Sequence, residues 1–171
     1  MRPLVLLGSD LGAAGIAALR KAFGIFPTGV VAVAAEVDGR LTGLAASSFT
    51  SVSLAPPLVS VSIANTSRTW PLLRRADHLG VTVLADHQRG AARQLAGPVE
   101  GRFDGLRAAL SDDGAATLAG GLASFDTTIY REVEAGDHTI VLLRLHAVEH
   151  ADDSLPLVFH RSGFGRLQHP A

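Results

Sequence analysis

The 171-residue sequence contains no cysteine, so neither a disulfide framework nor a thiolate metal site is available to it. Any redox chemistry therefore has to come from a bound cofactor. Aromatic residues make up only 5% of the chain and the formal net charge is −1. Binding to a nucleic-acid backbone needs a basic face, and this composition does not provide one. We expect no nucleic-acid partner.

Long hydrophobic runs are also missing. Residues 4–7 are apolar, but Ser9 and Asp10 interrupt the run before it reaches the length of a signal peptide. No stretch approaches the roughly 20 apolar residues of a membrane-spanning helix. We expect a cytoplasmic protein that does not bind membranes, with a short N-terminal extension at residues 1–10. Hydrophobic residues still make up 47% of the chain, so residues 1–171 are predicted to form a single domain.

The apolar periodicity predicts mostly β-structure. A first helix is expected after Ser9 or Asp10, ending at Gly24, and short helices are expected from Trp70 to about Ala76 and over 86–97. Period-two alternation and turn signals predict strands at 29–37, 41–49, 58–64, 79–84, 123–134, 139–149 and 156–160. Strands in mostly hairpin order favour an antiparallel barrel over a regularly alternating α/β fold.

Residues 42–71 carry the strongest functional signal. Residues 43–46 supply small side chains over which a flat ring can approach the backbone, and Ser47 and Ser48 add hydroxyl groups at one end. Residues 65–69 then bring hydroxyls, a guanidinium and backbone N–H groups together just before a helix start, where a dianionic phosphate can be held. The pattern indicates a site for flavin mononucleotide (FMN).

This stretch resembles the flavin reductase family with the FMN-binding split-barrel fold, whose members often contain SSFTSVSL-x-PPL followed by a strand and S-R-T/S-W. Five further segments follow in the family's order, and these are 26–30, 81–84, 102–105, 136–140 and 156–161. The resemblance covers nearly the whole chain. It implies a mainly β fold, a six-stranded antiparallel Greek-key split β-barrel with a few short flanking helices.

The resemblance also implies cofactors and partners. It implies FMN as the flavin, with FAD possible, and NADH or NADPH as the co-substrate. It further implies a homodimer and a flavin-dependent monooxygenase that receives the reduced flavin. Gln94 stands where many relatives carry Arg, and Gly101 where Asp is usual, so the binding of a larger flavin is left open.

Site residues follow from the same resemblance. The cofactor-binding positions are Thr28, Ala45, Ala46, Ser47, Ser48, Ser62, Ile63, Ala64, Ser67, Arg68, Thr69, Arg161 and Phe164. Residues 67–69 are expected at the FMN phosphate and ribityl chain, and 62–64 along the flavin. His138 is expected where nicotinamide stacks, in a binding or catalytic role, and Arg161 and Phe164 belong to the segment that closes over the nicotinamide site.

Each of these assignments has a structural alternative. Ser67 and Thr69 are ordinary helix-capping residue types. A histidine at a strand start, such as His138, is often a structural hydrogen-bonding residue, and Arg161 and Phe164 also suit an exposed tail.

One zinc-like pattern needs separate treatment. Residues 146–150 read H-x-x-E-H, but they continue a predicted strand, where residues four apart are separated by roughly 13 Å. That distance is too long for two ligands of one zinc ion, and we expect no metal site.

The sequence therefore predicts an NAD(P)H:flavin oxidoreductase that transfers hydride from reduced nicotinamide to FMN and supplies a partner monooxygenase. Two alternatives stay open. One is an electron carrier or specialised oxidoreductase with tightly held FMN, and the other is a non-catalytic flavin-binding module.

Overall fold

The structure, a computed structural model, describes residues 11–151 and 154–167. The first half of the chain forms α1 (Ala13–Phe23), β1 (Thr28–Gly29), β2 (Val31–Val37), β3 (Arg40–Ala46), β4 (Thr50–Leu54), β5 (Pro57–Ala64), α2 (Trp70–Leu73) and β6 (Leu79–Val83). The second half forms a 3-10 turn (Asp86–Gln88), α3 (Arg89–Leu95), β7 (Ala108–Leu110), β8 (Ala116–Leu118), β9 (Ala123–Ala135), β10 (His138–His150), β11 (Leu157–His160) and β12 (Gly163–Arg166).

The main sheet has seven strands in the order β3-β2-β6-β9-β10-β5-β4. All neighbouring pairs are antiparallel, so the prediction of a mainly β, antiparallel protein is confirmed. The predicted six-stranded barrel is wrong in strand number and in closure, because β3 and β4 remain unpaired edges. The extra strand arises because the predicted strand 41–49 ends at Ala46, and a new strand, β4, begins at Thr50.

The sheet nevertheless curves strongly, so that the end of β3 comes close to the end of β5. Just after β3, the Ser48 hydroxyl donates to the carbonyl of Ser62 at 3.1 Å and accepts from the Ser62 N–H at 2.9 Å. This side-chain bridge stands in for the missing ladder bonds between the two strands, and it lies at the edge of a cleft.

Residues 31–35 of β2 are buried on both faces of the sheet, which explains the apolar run that precedes the exposed Glu36. Because side chains alternate across a strand, Val31, Val33 and Ala35 join one hydrophobic cluster with β5, β6 and β10. Ala32 joins a second cluster that includes Ala92 and Leu95 of α3. The curved sheet therefore has a core on its inner side, and α3 covers the outer side.

Two smaller sheets complete the fold. Strands β1, β11 and β12 form one, and β7 and β8 form the other. Strand β8 passes very close to β6 at Gly80, where an added Cβ atom would lie 2.0 Å from the Ala116 carbonyl oxygen. The absence of a side chain at Gly80 is what allows this contact.

The predicted helices are present, but with different limits. Helix α1 begins after Gly12 without a side-chain cap, and the predicted caps Ser9 and Asp10 lie outside the described residues, as does the extension at 1–10. Helix 70–76 is shortened to α2, and helix 86–97 divides into the 3-10 turn and α3. None of the helices within 11–151 and 154–167 is long and apolar enough to cross a membrane.

Candidate active site

A cleft of about 540 Å³ opens where the ends of the curved sheet meet. Its walls are the end of β3 with the two serines that follow, the end of β5 with the loop into α2, the loop after α3, and the start of β10. The cleft brings together eleven of the predicted residues, which are Ala45, Ala46, Ser47, Ser48, Ser62, Ile63, Ala64, Ser67, Arg68, Thr69 and His138. Residues from four separate segments therefore share one surface.

Small side chains form one wall of the cleft. Ala45 and Ala46 come from β3, and Ala64 comes from β5. Gly43 was also predicted to offer backbone to a ring, but it is buried, and a Cβ atom there would lie 2.7 Å from Cζ of Phe103. The glycine at this position serves the packing of Phe103, while the alanines leave a shallow surface that suits a planar ligand.

Two arginines, Arg68 and Arg102, also line the cleft. Arg68 is exposed, whereas Arg102 is held by four hydrogen bonds. Its Nη1 donates to the Gly43 carbonyl and to the Thr69 hydroxyl, each at 2.8 Å. Its Nε and Nη2 donate to the Gly97 carbonyl at 3.0 and 2.8 Å. Arg102 thus ties β3, the start of α2 and the loop after α3 together.

The two positive charges act on each other. Burial lowers the pKa of Arg102, and repulsion from Arg68 lowers it further, while Glu100 opposes the shift. Two guanidinium groups that repel each other at the rim of a cleft are stabilised by an anion that contacts both. This end of the cleft therefore suits a phosphate.

The hydroxyl groups of the cleft differ in what they can still donate. The Ser67 hydroxyl oxygen accepts from the Trp70 N–H at 3.2 Å, and that of Thr69 accepts from Arg102. Because their acceptor sides are in use, both groups are left to donate their O–H protons. Ser48 lines the cleft as well, but its proton already goes to Ser62.

His138 stands at the first position of β10, paired with Ala64 of β5. Its Nδ1 lies 2.7 Å from Oδ1 of Asp137. A carboxylate only accepts, so Nδ1 carries the proton and Nε2 of the neutral ring is an acceptor. The hydrogen bond from His138 holds the pKa of Asp137 below its usual value, and the charge of the imidazole lowers it further whenever that ring is protonated.

Three predicted residues do not line the cleft. Thr28 lies in β1, opposite Phe159, with its hydroxyl buried and without a hydrogen-bond partner among the described residues. Arg161 lines a separate cavity beside α1. Phe164 lies in β12, and its ring packs against Phe159 with centroids 5.4 Å apart. A cofactor role for these three stays a prediction.

Sequence reasoning missed several lining residues. Pro98, Val99 and Arg102 all contribute to the cleft. Arg102 belonged to a segment noted for its family resemblance, but its contact with Gly43 spans 59 positions, which no local pattern indicates. Gln94 also has a role, since its side-chain amide donates to the carbonyls of Gly101 and Asp104, each at 2.9 Å, and so fixes the loop that carries Arg102.

The fold and the cleft define a mainly β protein with a site for a flat ligand that carries an anionic group. The flavin reductase like domain matches residues 23–168. The chain belongs to that family, as its sequence segments predicted.

Individual relatives agree with this assignment. A protein named flavin reductase from Pseudomonas putida is 40% identical over 147 residues, covering 85% of this chain and 86% of the relative. A protein named FMN reductase (NADH) SmoA from Agrobacterium fabrum is 36% identical over 149 residues, covering 86% of this chain and 84% of the relative. Three other curated relatives are longer, and the chain spans only 57%, 43% and 40% of them.

A solved structure of a flavin oxidoreductase is also similar to this chain. The NADH:FAD oxidoreductase SgcE6 from Streptomyces globisporus, determined with NAD and FAD fragments, matches with a TM-score of 0.87 and 32% identity. The match covers 96% of this chain and 99% of that chain.

Proposed function

We propose that this protein is an NADH-dependent flavin reductase that transfers hydride from reduced nicotinamide to FMN. The observation that carries the proposal is the cleft itself, which is lined by small alanine side chains and by a pair of arginines in a chain of the flavin reductase family. Relatives named FMN reductase (NADH) and NADH:FMN oxidoreductase support the choice of FMN and NADH. FAD and NADPH are the alternative substrates to be tested in the same cleft.

The polar end of the cleft fits the FMN phosphate. Arg68 and Arg102 supply positive charge, and the Ser67 and Thr69 hydroxyls supply protons that no acceptor among the described residues uses. Charge-assisted hydrogen bonds of this kind are the stronger ones in proteins. The phosphate would thus be bound by Ser67, Arg68 and Thr69, with Arg102 behind them.

The alanine wall fits the flavin ring. When bound, FMN supplies the atom that accepts the hydride, so the protein's part is to align two cofactors rather than to carry out acid–base chemistry. Ala45, Ala46 and Ala64 leave the space for the ring, and Ser47, which is exposed, offers a hydroxyl at its edge. A donor at this edge stabilises negative charge that develops on the ring.

His138 is assigned to the nicotinamide. Asp137 fixes the proton on Nδ1, so Nε2 is free to accept a hydrogen bond from the amide group of nicotinamide. His138 is partly exposed, with 44% of its side chain accessible, so a ligand can reach it. This contact orients the dihydronicotinamide and does not require His138 to exchange a proton.

The assembly and partners form part of the proposal. Relatives named as the reductase component or subunit of flavin-dependent monooxygenases support a monooxygenase that receives the reduced flavin. A similar solved structure, BorF, is the flavin reductase component of a two-component tryptophan halogenase. We further propose a cytoplasmic homodimer, for which the support is the family resemblance. Light scattering is expected to give a molecular mass in solution that is twice the mass of one chain.

The reductase activity has a direct test. Purified protein with FMN is mixed anaerobically with NADH, and the flavin absorbance is expected to bleach much faster than in a mixture without protein. Repeating the measurement with NADPH, FAD and riboflavin ranks the substrates. If neither NADH nor NADPH bleaches any flavin, the function is not that of a reductase, and the non-catalytic flavin-binding module becomes the better account.

A further inference from the structure

A second pocket, of about 530 Å³, lies at the opposite end of α3 from the cleft. Asp86, His87, Arg89, Phe164 and Arg166 line it. It takes in one of the predicted cofactor residues, Phe164, that the cleft does not contain. Hydride transfer in the cleft does not by itself require this second pocket.

The pocket is basic and contains an aromatic ring. Arg89 and Arg166 are both exposed, and no carboxylate of the described residues forms an ion pair with either of them. Arg89 and its neighbour on α3, Arg93, hold their guanidinium carbons 6.0 and 5.8 Å from the centre of the Phe164 ring. Among the described residues, Asp86 is the one carboxylate that lines the pocket, and its Oδ1 lies 3.8 Å from Nδ1 of His87.

Helix α3 connects the pocket to the cleft. Arg89, at its first position, faces the pocket, and Leu95, at its last, lines the cleft. At 1.5 Å per residue the two positions are about 9 Å apart along the helix axis. Leu95 and Phe164 also belong to one hydrophobic cluster, so the two sites are held at a fixed separation.

We propose that this pocket binds the adenosine phosphate half of a dinucleotide whose other half lies in the cleft. The proposal rests on the assigned reductase function. Unpaired arginines bind phosphate oxygens, and guanidinium groups ordered over a phenyl ring offer a flat surface to adenine. FMN has no adenosine half, whereas NADH and FAD both have one. The pocket thus selects for dinucleotides without contacting the reacting atoms.

The test compares ligands that differ only in the adenosine half. The double variant Arg89→Ala/Arg166→Ala is assayed with NADH and with reduced nicotinamide mononucleotide, and its dissociation constants for FAD and FMN are measured. Loss of two partly solvated contacts is expected to raise the KM for NADH, the Kd for FAD or both about five- to tenfold. The values for reduced nicotinamide mononucleotide and for FMN should stay unchanged. Arg144→Ala, an exposed arginine on β10, is the matched control.

The outcome also identifies the source of the adenosine half. An effect on NADH alone assigns the pocket to the nicotinamide dinucleotide, and an effect on FAD alone assigns it to the flavin. No effect on either, or equal effects on the ligands with and without adenosine, overturns the proposal.

Calorimetry with ADP separates this inference from the reductase assignment, because it needs no turnover. ADP should bind to the wild-type protein and bind more weakly to the double variant, even if NADH oxidation is absent. If ADP does not bind to the wild type, the pocket is not an adenosine phosphate site.

Discussion

At the scale of single residues, Arg68 and Arg102 are both positively charged but are expected to have different roles. The guanidinium group of Arg102 donates hydrogen bonds to Gly43, Thr69 and Gly97, so its main effect is to hold three segments together. Arg68 has an exposed side chain and lines the cleft. Replacing Arg68 and Arg102 separately therefore distinguishes a residue that contacts the ligand from one that maintains the shape of the binding site.

Arg68→Ala tests direct phosphate contact. A hydrogen bond to a charged group contributes about 1.5–3 kcal/mol, so FMN binding should weaken roughly ten- to one-hundredfold. Riboflavin lacks the phosphate and should bind almost as before. Fluorescence titration with both flavins gives the result, with Arg144→Ala as the control. Equal losses for the two flavins, or no loss for FMN, would place the phosphate elsewhere.

Arg102→Ala tests the shaping role. Its removal leaves the carbonyls of Gly43 and Gly97 and the hydroxyl of Thr69 without their donor, so the cleft loses its fixed outline and the protein some stability. We expect weaker binding of both FMN and riboflavin, together with a lower midpoint of thermal unfolding. A loss confined to FMN, with unchanged unfolding, would show that Arg102 acts as a phosphate ligand only.

His138→Ala tests the nicotinamide contact. The KM for NADH should rise several-fold, as is usual for the loss of one uncharged hydrogen bond, while the Kd for FMN stays near that of the wild type. Asp137→Asn should give a smaller effect in the same direction, because the imidazole keeps its position but loses a charged partner. Equal weakening of FMN and NADH would make His138 a structural residue.

At the scale of secondary-structure elements, the sequence predicted what local chemistry determines. The Asp38-Gly39 pair predicted the hairpin between β2 and β3, and both residues have positive φ, 51° and 72°. Strand β5 also lies where its alternation placed it. The phosphate-loop residues 67–69 lie together in the cleft for the same reason, because one strand delivers them.

Non-local contacts account for what was missed. The division of 41–49 into β3 and β4 depends on the bridge from Ser48 to Ser62, fourteen positions away, and not on a turn signal at the division. Strands β7 and β8 have three residues each, too few for a period to be read. Arg102 was missed likewise, since its partners Gly43 and Thr69 are distant in sequence.

Gly80→Ala tests the crossing of β8 over β6. The new methyl group would lie 2.0 Å from a backbone oxygen, which cannot rotate away, so one of the two strands has to move. Overpacking of this kind costs about 1–3 kcal/mol or more, measurable by urea unfolding. Gly90→Ala is the control, because nothing lies within 4 Å of its added Cβ and alanine favours the helix by about 1 kcal/mol. Equal stability of the two variants would mean that β8 does not approach β6 so closely.

At the scale of the whole molecule, the incomplete closure of the sheet creates the site. The two outer strands, β3 and β4, do not pair with each other, and the cleft opens where Ser48 and Ser62 bridge the curved ends. A closed barrel would fill this space with ladder bonds. A flavin bound in this opening would stay in contact with solvent, and several polar groups of the cleft are engaged within the protein. This arrangement favours a flavin that exchanges over one that is permanently held.

Flavin exchange can be measured on the intact protein. Because binding of the FMN phosphate depends on charged groups near solvent, the affinity for FMN should fall as ionic strength rises, while the affinity for riboflavin changes little. Protein passed through a desalting column at high salt should lose its FMN and recover NADH oxidation when FMN is returned. A protein that keeps its flavin through dialysis at high salt would instead be an electron carrier or a specialised oxidoreductase with tightly held FMN. Exchange is the property that a supplier of reduced flavin requires, since the product has to leave the cleft before a monooxygenase can use it.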